Sequence, residues 1–541
     1  MERDAEVRRL SASIAVVCSL LLGACGGSSP TDAPAPGGGG SGPAEGGAKV
    51  RAEWIDGRLS VDVPTTIVTF GLSDAQAAAL QAELVPYTVN HANSDLNQIL
   101  PPDLEELQSD GVMTLLPLFG DDFVLPVLPT ALYTVRPAPA ALVAEFEKAL
   151  AAAKLSDTRY DAIAMEDFLA AALPRYGVKL NPDAPSMAIV HLAAFGVGEH
   201  GWKMRAPTGS VEPIRLFGDR NPLLILDPSA VTDPYGSGEA FTEPTMPDNA
   251  ALIATFVREA TEYRMLQGSI YPISTAPCHA VTGIMGVRQT SIAQATPLLR
   301  PVEEALVAEN IAASFNNLTG GLAHFDLKIL QLPQDDPVLD ALTRGEFPAF
   351  EVLRGYLSLN FDRYHVDHPG CEEYLSIVVQ SDLLAVPGAG VIGIGTYDDI
   401  PGHRISMSWV HDLFRLTFDP ESPVGILADE GKDFLNWWEY LFSHETGHIM
   451  GQRHPHDITS SSSASGSSNS FSSIWSSMSY QQDGRMIDFG ANDQANWKRN
   501  RAGYALSLAA QNGRENTPEW NAAMDKARQL DWTGVWEALR Q

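Results

Sequence analysis

The stretch His444-Glu445-Thr446-Gly447-His448-Ile449-Met450-Gly451-Gln452-Arg453-His454 carries the most information in this chain. Two histidines four residues apart lie on one face of a helix, so His444 and His448 can direct imidazole nitrogens at a single metal ion. Gly451 lacks a Cβ and can adopt the positive φ that ends a helix, which lets His454 return as a third ligand. Three protein ligands leave one position open, as is typical of a catalytic zinc.

Glu445 supplies the remaining group that hydrolysis needs. A glutamate beside the zinc can accept a proton from a water molecule whose pKa the metal lowers toward about 7. The predicted cofactor is therefore one zinc ion per chain, and the predicted reaction is hydrolysis by an activated water. The alternative is a site that binds metal but has lost catalysis.

Downstream lies Ser477-Met478-Ser479-Tyr480, and with this second motif the chain resembles the metzincin superfamily of zinc metallopeptidases. The resemblance implies that Met478 lies in a tight turn beneath the metal ligands. It also implies that Tyr480 acts near the zinc, either as an extra ligand or as a donor to the oxyanion, as in astacin-like and serralysin-like members. The chain lacks the GGxGxD repeats of serralysins, so we expect a divergent bacterial family.

The fold class that this resemblance implies is α+β, with a twisted mixed sheet, a zinc-binding helix and a Met-turn. Local patterns agree with it: we expect a helix over 301–315, strands over 323–332, 374–380, 391–397 and 405–410, and a zinc-binding helix that begins near Asp433. Helical patterns at 492–510 and 517–539 follow. The serine-rich segment 460–477 is predicted to be a mobile surface loop beside the cleft or part of the substrate wall.

A glycine-rich segment at 388–395 precedes the zinc-binding helix. Glycine within a strand often marks the close approach of another backbone, and extended peptides bind by pairing with a sheet edge. This segment is therefore a candidate edge for substrate pairing, and a strained turn or a buried strand is an equal alternative.

The N-terminus of the chain has the pattern of a lipoprotein signal peptide over residues 1–24. Three arginines precede an apolar run that is short for a membrane span. The sequence Leu22-Gly23-Ala24-Cys25 resembles a bacterial lipobox, which implies cleavage before Cys25 and lipidation of its thiol. Residues 25–49 are then a flexible Gly/Pro/Ser tether, and the expected location is the outer membrane or the cell surface. An ordinary secreted protein is the alternative.

The net charge limits the classes of partner that the chain can bind, and the cysteine count predicts a disulfide. Acidic residues outnumber basic ones by 67 to 36, and a net charge of −31 makes nucleic acid an improbable partner. The expected partners are a protein or peptide substrate and the membrane, reached through Cys25.

Cys278 and Cys371 are the other cysteines of the mature chain, and in an oxidising compartment they predict one disulfide. A Cys278 thiolate that ligates the zinc is the alternative.

Residues 50–245 are predicted to form a separate N-terminal domain of mixed α and β structure, followed by the metzincin-like domain over 246–541. No metal, nucleotide or nucleophile pattern stands out in the N-terminal part. It could be a prodomain, a recruiting domain or structural support for the peptidase. Phe119-Gly120-Asp121 and Phe217-Gly218-Asp219 both resemble the aspartate latch of astacin propeptides, although such tripeptides are also common turns.

Two functions remain in view from sequence alone. The first is a lipid-anchored zinc endopeptidase in which Glu445 moves the proton. The second is a surface adhesion or binding lipoprotein in which the metzincin-like domain is a zinc-stabilised scaffold with little turnover.

Overall fold

The computed structural model describes residues 49–89, 126–203, 216–230, 249–266, 273–288, 300–332, 361–381, 393–397, 404–411, 434–452, 474–478 and 488–540. The strands are β1 (Ala52–Ile55), β2 (Arg58–Phe70), β3 (Tyr87–Thr88), β4 (Val127–Pro137), β5 (Lys154–Ser156), β6 (Arg159–Asp161), β7 (Ser186–Val190), β8 (Gly201–Lys203), β9 (Leu216–Gly218), β10 (Leu223–Leu226), β11 (His279–Arg288), β12 (Ala323–Leu332), β13 (Glu372–Ser381), β14 (Gly393–Tyr397) and β15 (Arg404–His411). The helices are α1 (Asp74–Glu83), α2 (Ala140–Ala152), α3 (Ala162–Ala172), α4 (Ala250–Leu266), α5 (Pro301–Thr319), α6 (Phe361–Tyr364), α7 (Phe434–Ile449), α8 (Ala491–Gln511), α9 (Pro518–Ala527) and α10 (Trp532–Arg540), with short 3₁₀ turns at Leu173–Tyr176 and Leu192–Phe195.

The N-terminal half is built on a seven-stranded sheet with the order β3-β4-β2-β7-β10-β9, in which β1 also pairs with β2. The central strands β4, β2, β7 and β10 run parallel, and β1, β3 and β9 are antiparallel to their neighbours. Strand β2 alternates between buried and partly exposed residues at first and is buried throughout at its end. A parallel strand that is buried on both faces has this continuous apolar pattern, so the sheet centre is covered on both sides.

Helices α2 and α3 cover one face of this sheet, with Phe146 and Leu169 fully buried against it. The other face packs against α1, α4 and the three C-terminal helices α8, α9 and α10. Trp520 of α9 meets Trp54 edge to face, with ring centroids 5.3 Å apart. The C-terminal helices therefore belong to the hydrophobic core of the N-terminal sheet.

The second sheet has the order β12-β11-β13-β15-β14. Its first four strands are parallel, and β14 is antiparallel to β15 at one edge. Helices α5 and α7 pack together with this sheet around a third core that includes Phe315, Trp438 and Phe442. At Gly283 of β11 a Cβ would lie 2.7 Å from the Phe325 ring and 3.1 Å from the Phe442 ring, so the absence of a side chain lets helix α7 approach the sheet closely.

The coarse class predicted from sequence, α+β, agrees with this mixed arrangement. The strand predicted over 323–332 coincides with β12, and the other predicted helices and strands of this region differ from the observed ones by a few residues at their ends. The helical pattern predicted over 517–539 is the exception, because the structure divides it into two helices, α9 and α10. Strand β11 and helix α4 have no counterpart among the predicted elements. In the N-terminal part, the helical patterns at 141–154 and 165–173 and the strand pattern at 187–192 correspond to α2, α3 and β7, and the other strands of the parallel sheet were not predicted. The predicted boundary between residues 245 and 246 does not separate hydrophobic cores, because α8 contributes Trp497 to one core and Ala502 and Leu506 to the other.

The segment 460–477, predicted to be a surface loop, is described from Ile474 onward. There the prediction is wrong: Ile474, Ser476 and Ser477 are fully buried, because the chain runs between the two cores at this point. The signal peptide, Cys25 and the tether up to residue 48 lie outside the described residues, and Lys49 at the end of the tether forms an exposed ion pair with Asp525 at 3.3 Å. No helix in the described part of the chain is both long enough and apolar enough to cross a lipid bilayer.

A disulfide joins Cys278, just before β11, to Cys371, just before β13. These two strands are neighbours in the sheet, and the amide of Glu372 donates a hydrogen bond of 2.9 Å to the carbonyl of Cys278. The bond closes a loop with a sequence separation of 93 residues. The predicted disulfide is therefore present, and it covalently links the starts of the neighbouring parallel strands β11 and β13.

Replacing both cysteines with serine should lower the free energy of unfolding by about 2–5 kcal/mol, because the unfolded chain loses a long covalent loop constraint. Denaturant midpoints followed by tryptophan fluorescence measure the change, and the parent protein under reducing conditions serves as a matched control. A double variant as stable as the oxidised parent would show that the bond contributes nothing to the fold.

Candidate metal centre

Helix α7 carries the first two predicted ligands near its C-terminal end, and the part of the helix before them is buried in the core. Trp438, Leu441 and Phe442 pack into the core, which leaves the helix little freedom to rotate or shift. His444 and Glu445 are only 4% and 5% exposed. A site on a packed helix is held more rigidly than one on a loop.

The helix ends as the sequence predicts. Gly451 has φ +98°, and the amides of Gly451 and Gln452 donate to the carbonyls of His448 and Gly447 at 2.9 and 2.8 Å. This pair of hydrogen bonds, with a glycine in the left-handed region, is a Schellman C-cap. The chain therefore turns sharply just after His448. The predicted third ligand His454 lies outside the described residues.

Each of the two imidazoles is oriented by a backbone carbonyl. The His444 Nδ1–H donates to the carbonyl of Ser477 at 2.8 Å, and the His448 Nδ1–H donates to the carbonyl of Gln452 at 3.0 Å. Because a carbonyl can only accept, both rings carry their proton on Nδ1 and have the lone pair on Nε2. This arrangement is the one that metal-binding histidines usually adopt.

The separation of the two rings fits a shared ion. Imidazoles that bind one tetrahedral zinc through Nε2, at about 2.0–2.1 Å, have ring centroids roughly 5 Å apart. The centroids of His444 and His448 are 5.0 Å apart, and the rings are nearly perpendicular at 88°. The described donors therefore fit a zinc ion in nitrogen type and tautomer, and the distance between the ring centroids is compatible with a shared ion.

Glu445 is the acidic group at this centre. Burial raises the pKa of its carboxyl to about 8. A nearby cation favours the ionised form, so a metal bound by the neighbouring histidines would lower that pKa. The pKa of Glu445 would then depend on whether an ion is bound, which suits a group that accepts and releases a proton.

Met478 lies directly against the ligand helix. The side chain is fully buried, and a Cβ built on Gly447 would lie only 2.5 Å from its sulfur. Gly447 stands between the two histidines in sequence, so the Met478 thioether packs under the turn of helix that carries them. Tyr480, two residues further on, lies outside the described residues.

Other groups of potential ligands occur among the described residues. Cys278, Cys371 and His324 lie close together, but the two sulfurs are bonded to each other, so neither is a thiolate ligand in this form. His365, Asp367 and Glu373 form a second group. The His365 Nε2 pairs with a Glu373 carboxylate oxygen at 3.1 Å, and that contact accounts for the group as an ion pair when the imidazole is protonated.

Sequence reasoning did not identify two parts of this centre. The Ser477 carbonyl orients His444, but a backbone acceptor has no residue signature. Position 447 must be glycine because the Met478 sulfur fills the space that a Cβ would occupy, whereas the pattern HExxH allows any residue there. A small residue between the ligands, followed by a methionine downstream, is the only sequence signal that points to the contact.

Comparison of the chain with protein-family models, with characterised proteins and with solved structures finds no match. The class of site is therefore argued from the residues themselves: a buried helix with two Nε2-presenting histidines, an adjacent glutamate and a methionine packed beneath.

Replacing Gly447 with alanine tests the contact with Met478. Helix propensity alone favours alanine by about 1 kcal/mol, whereas forcing a methyl group into a packed site costs about 1–3 kcal/mol. We expect lower stability and weaker zinc binding, measured by denaturant unfolding and by competition with a chelating dye.

The matched control for this test is Gly198→Ala, since a Cβ at Gly198 has no neighbour within 4 Å. Adding Met478→Ala to Gly447→Ala should recover part of the lost zinc affinity, because the two side chains compete for the same space. A Gly447→Ala variant that binds zinc as tightly as the parent would contradict the packing described.

Proposed function

We propose that this chain is a zinc-dependent endopeptidase of the metzincin type that hydrolyses peptide bonds of proteins outside the cytoplasm. The observation that carries the proposal is the pair of buried histidines on α7, each with Nδ1–H bound to a carbonyl and ring centroids 5.0 Å apart. The adjacent Glu445 and the packed Met478 support it. His454 is the proposed third ligand.

Each residue of the centre has a distinct proposed role. His444, His448 and His454 would hold the metal, which would supply Lewis-acid chemistry and make water a better nucleophile at neutral pH. Glu445 accepts a proton from the attacking water on its carboxylate and later passes it to the leaving amine nitrogen. Tyr480 donates a hydrogen bond to the oxygen of the scissile carbonyl as negative charge develops there.

Strand β14 is the proposed site where the substrate backbone pairs. It lies at the edge of the second sheet, pairs only with β15 among the described strands, and packs beside helix α7. An extended peptide that adds to this edge would run antiparallel to β14 or parallel to it, with main-chain hydrogen bonds that do not depend on side chains. Such binding suits an endopeptidase.

Location completes the proposal. A lipidated Cys25 and a tether over residues 25–49 would hold the enzyme at the outer membrane or the cell surface, where proteins and peptides are the available substrates. The acidic net charge of −31 accords with this class of substrate better than with nucleic acid.

Replacing Glu445 with glutamine should leave zinc content near one per chain and lower kcat for peptide hydrolysis by about 10²–10⁴-fold, because the proton acceptor is lost. Hydrolysis of a casein or mixed-peptide substrate measures activity, and atomic absorption measures zinc. Glu309→Gln, an exposed glutamate on α5, is the matched control and should behave as the parent.

Two results would contradict the endopeptidase. One is full activity in the Glu445→Gln variant. The other is a parent that binds one zinc per chain but cleaves no peptide, which would favour the binding lipoprotein with a zinc-stabilised scaffold.

Gly393 at the start of β14 tests the substrate edge. A valine there should raise KM for extended peptides several-fold, because its side chain obstructs a second backbone, with zinc content unchanged. Steady-state kinetics on peptides of increasing length measure the effect. An unchanged KM would remove β14 from the substrate-binding surface.

A further inference from the structure

The loop that contains Met478 is held from outside the zinc-binding region. Its residues Trp475 to Met478 lie between helix α7 and the β9–β10 hairpin of the N-terminal sheet. The amide of Trp475 donates to the carbonyl of Gly218 at 2.9 Å, and the guanidinium of Arg220 lies 5.1 Å from the centre of the Trp475 ring. The hairpin tip therefore contacts the loop through both backbone and side chain.

Asp219 at this tip also caps helix α8. Its carbonyl accepts from the amide of Ala491 at 2.8 Å, and its Oδ1 accepts from the amide of Asn492 at 3.0 Å. The first amides of a helix have no partner within the helix, and the residue before α8 is Gly490, which has no side chain to supply one. Asp219 thus takes the role of an N-cap residue from a distant part of the chain.

The packing around Asp219 is tight and specific. The carboxylate is fully buried, and its Oδ2 accepts from the Tyr263 hydroxyl at 3.0 Å, while Arg264 lies 3.4 Å from Oδ1. A Cβ at Gly490 would lie 2.5 Å from Asp219 Oδ2, so only glycine fits there. The backbone of Asp219 has φ +81°, in the left-handed region, and the turn is held by a hydrogen bond of 3.0 Å from its amide to the carbonyl of Leu223.

From α8 the contacts lead on to the metal ligands. Asp493 in the first turn of α8 accepts from the Ser476 hydroxyl at 2.7 Å and from the amide of Gly490 at 2.9 Å. The same Ser476 hydroxyl accepts from the amide of Met478 at 3.0 Å. The next residue, Ser477, presents the carbonyl that orients His444. Hydrogen bonds thus join Asp219 to Asn492, Asp493 to Ser476 and Ser477 to His444, and the peptide links Asn492-Asp493 and Ser476-Ser477 connect these three steps.

We propose that the N-terminal sheet is a permanent part of the enzyme and that Asp219 is a positioning residue for the metal centre. It acts by fixing the N-terminus of α8 and, through Asp493 and Ser476, the loop that orients His444 and carries Met478. This assignment rests on the proposed function only for its consequence on catalysis. It argues against a cleavable prodomain, since residues 50–245 share a hydrophobic core with the C-terminal helices.

The aspartate latch predicts the opposite behaviour. In that arrangement Asp219 would block the metal, and its removal would raise activity. The carboxylate oxygens face Asn492, Tyr263 and Arg264 instead. The two accounts therefore differ in the sign of the effect that a substitution at Asp219 has on hydrolysis.

The test uses the full chain with Asp219→Ala and Asp219→Asn, and Asp227→Ala and Asp227→Asn as matched controls. Asp227 is also a fully buried acid of the N-terminal sheet, bound to His200 and Trp202 at 2.8 Å, but its contacts lie away from the Met478 loop. Stability losses common to both sites are thus separated from effects on the loop. Asparagine keeps an acceptor for the Asn492 amide, so Asp219→Asn is the milder of the two substitutions and supplies the readouts if the alanine variant does not fold.

The first readout is amide hydrogen exchange in the metal-free protein. In the Asp219→Ala variant we expect exchange across residues 474–478 to be at least tenfold faster than in the parent, with Asp219→Asn between the two. The Asp227 variants should leave this segment unchanged relative to the rest of the protein. Equal exchange in the Asp219 variants and the parent would overturn the proposal, whether or not the chain binds zinc.

The second readout is zinc affinity by chelator competition, together with kcat and KM. We expect Asp219→Ala to weaken zinc binding about tenfold and to lower kcat with KM unchanged, and Asp219→Asn to restore part of both. Faster loop exchange with unchanged zinc affinity would overturn the positioning role, and increased hydrolysis would establish the latch instead. Absence of zinc binding in the parent would instead refute the proposed function, and the exchange result would still decide whether Asp219 holds the loop.

Discussion

The hydrogen bond from His444 Nδ1 to the carbonyl of Ser477 is the interaction on which the rest of the site depends. It sets the tautomer of the His444 imidazole, and it joins helix α7 to a loop that is distant in sequence. Both groups are buried, so the bond forms away from competing water and is correspondingly costly to lose. The same loop places the Met478 sulfur under Gly447, where no larger residue fits. Ring orientation and helix position are therefore set together.

The hydrogen bond between His444 and Ser477 requires that helix α7 and the Met478 loop both be held in place, and different parts of the protein hold each of them. Helix α7 is held by α5 and the second sheet, which supply a core on one side. The Met478 loop is held on its other side by α8 and the β9–β10 hairpin of the first sheet. Because α8 contributes to both cores, movement of the first sheet would displace the loop. We infer that the two sheets form one functional unit, and that the disulfide between Cys278 and Cys371 adds to it by joining the middle strands of the second sheet.

The sequence predicted most of what is local and little of what is distant. HExxH spacing and Gly451 are local features, because helix geometry and backbone freedom act within a few residues, and the helix and its Schellman end follow them. Strand β12 could be predicted because its sequence alternates between apolar and polar residues. Strand β11 was not, since His279-Ala280-Val281-Thr282-Gly283 has no clear alternation and is buried by neighbours on both sides. Asp219 and Asn492 are separated by 273 positions in sequence, and no pattern in either segment predicts that they lie side by side.

The proposed open coordination of zinc is tested most directly by X-ray absorption at the zinc edge on the metal-loaded full chain. Three imidazole nitrogens and one water oxygen should appear at about 2.0–2.1 Å, with no sulfur shell. His454→Ala should remove one imidazole from the count and leave the other two. A sulfur scatterer at about 2.3 Å, or a fourth protein ligand in place of water, would contradict a catalytic centre of three histidines and would indicate a closed, structural zinc site.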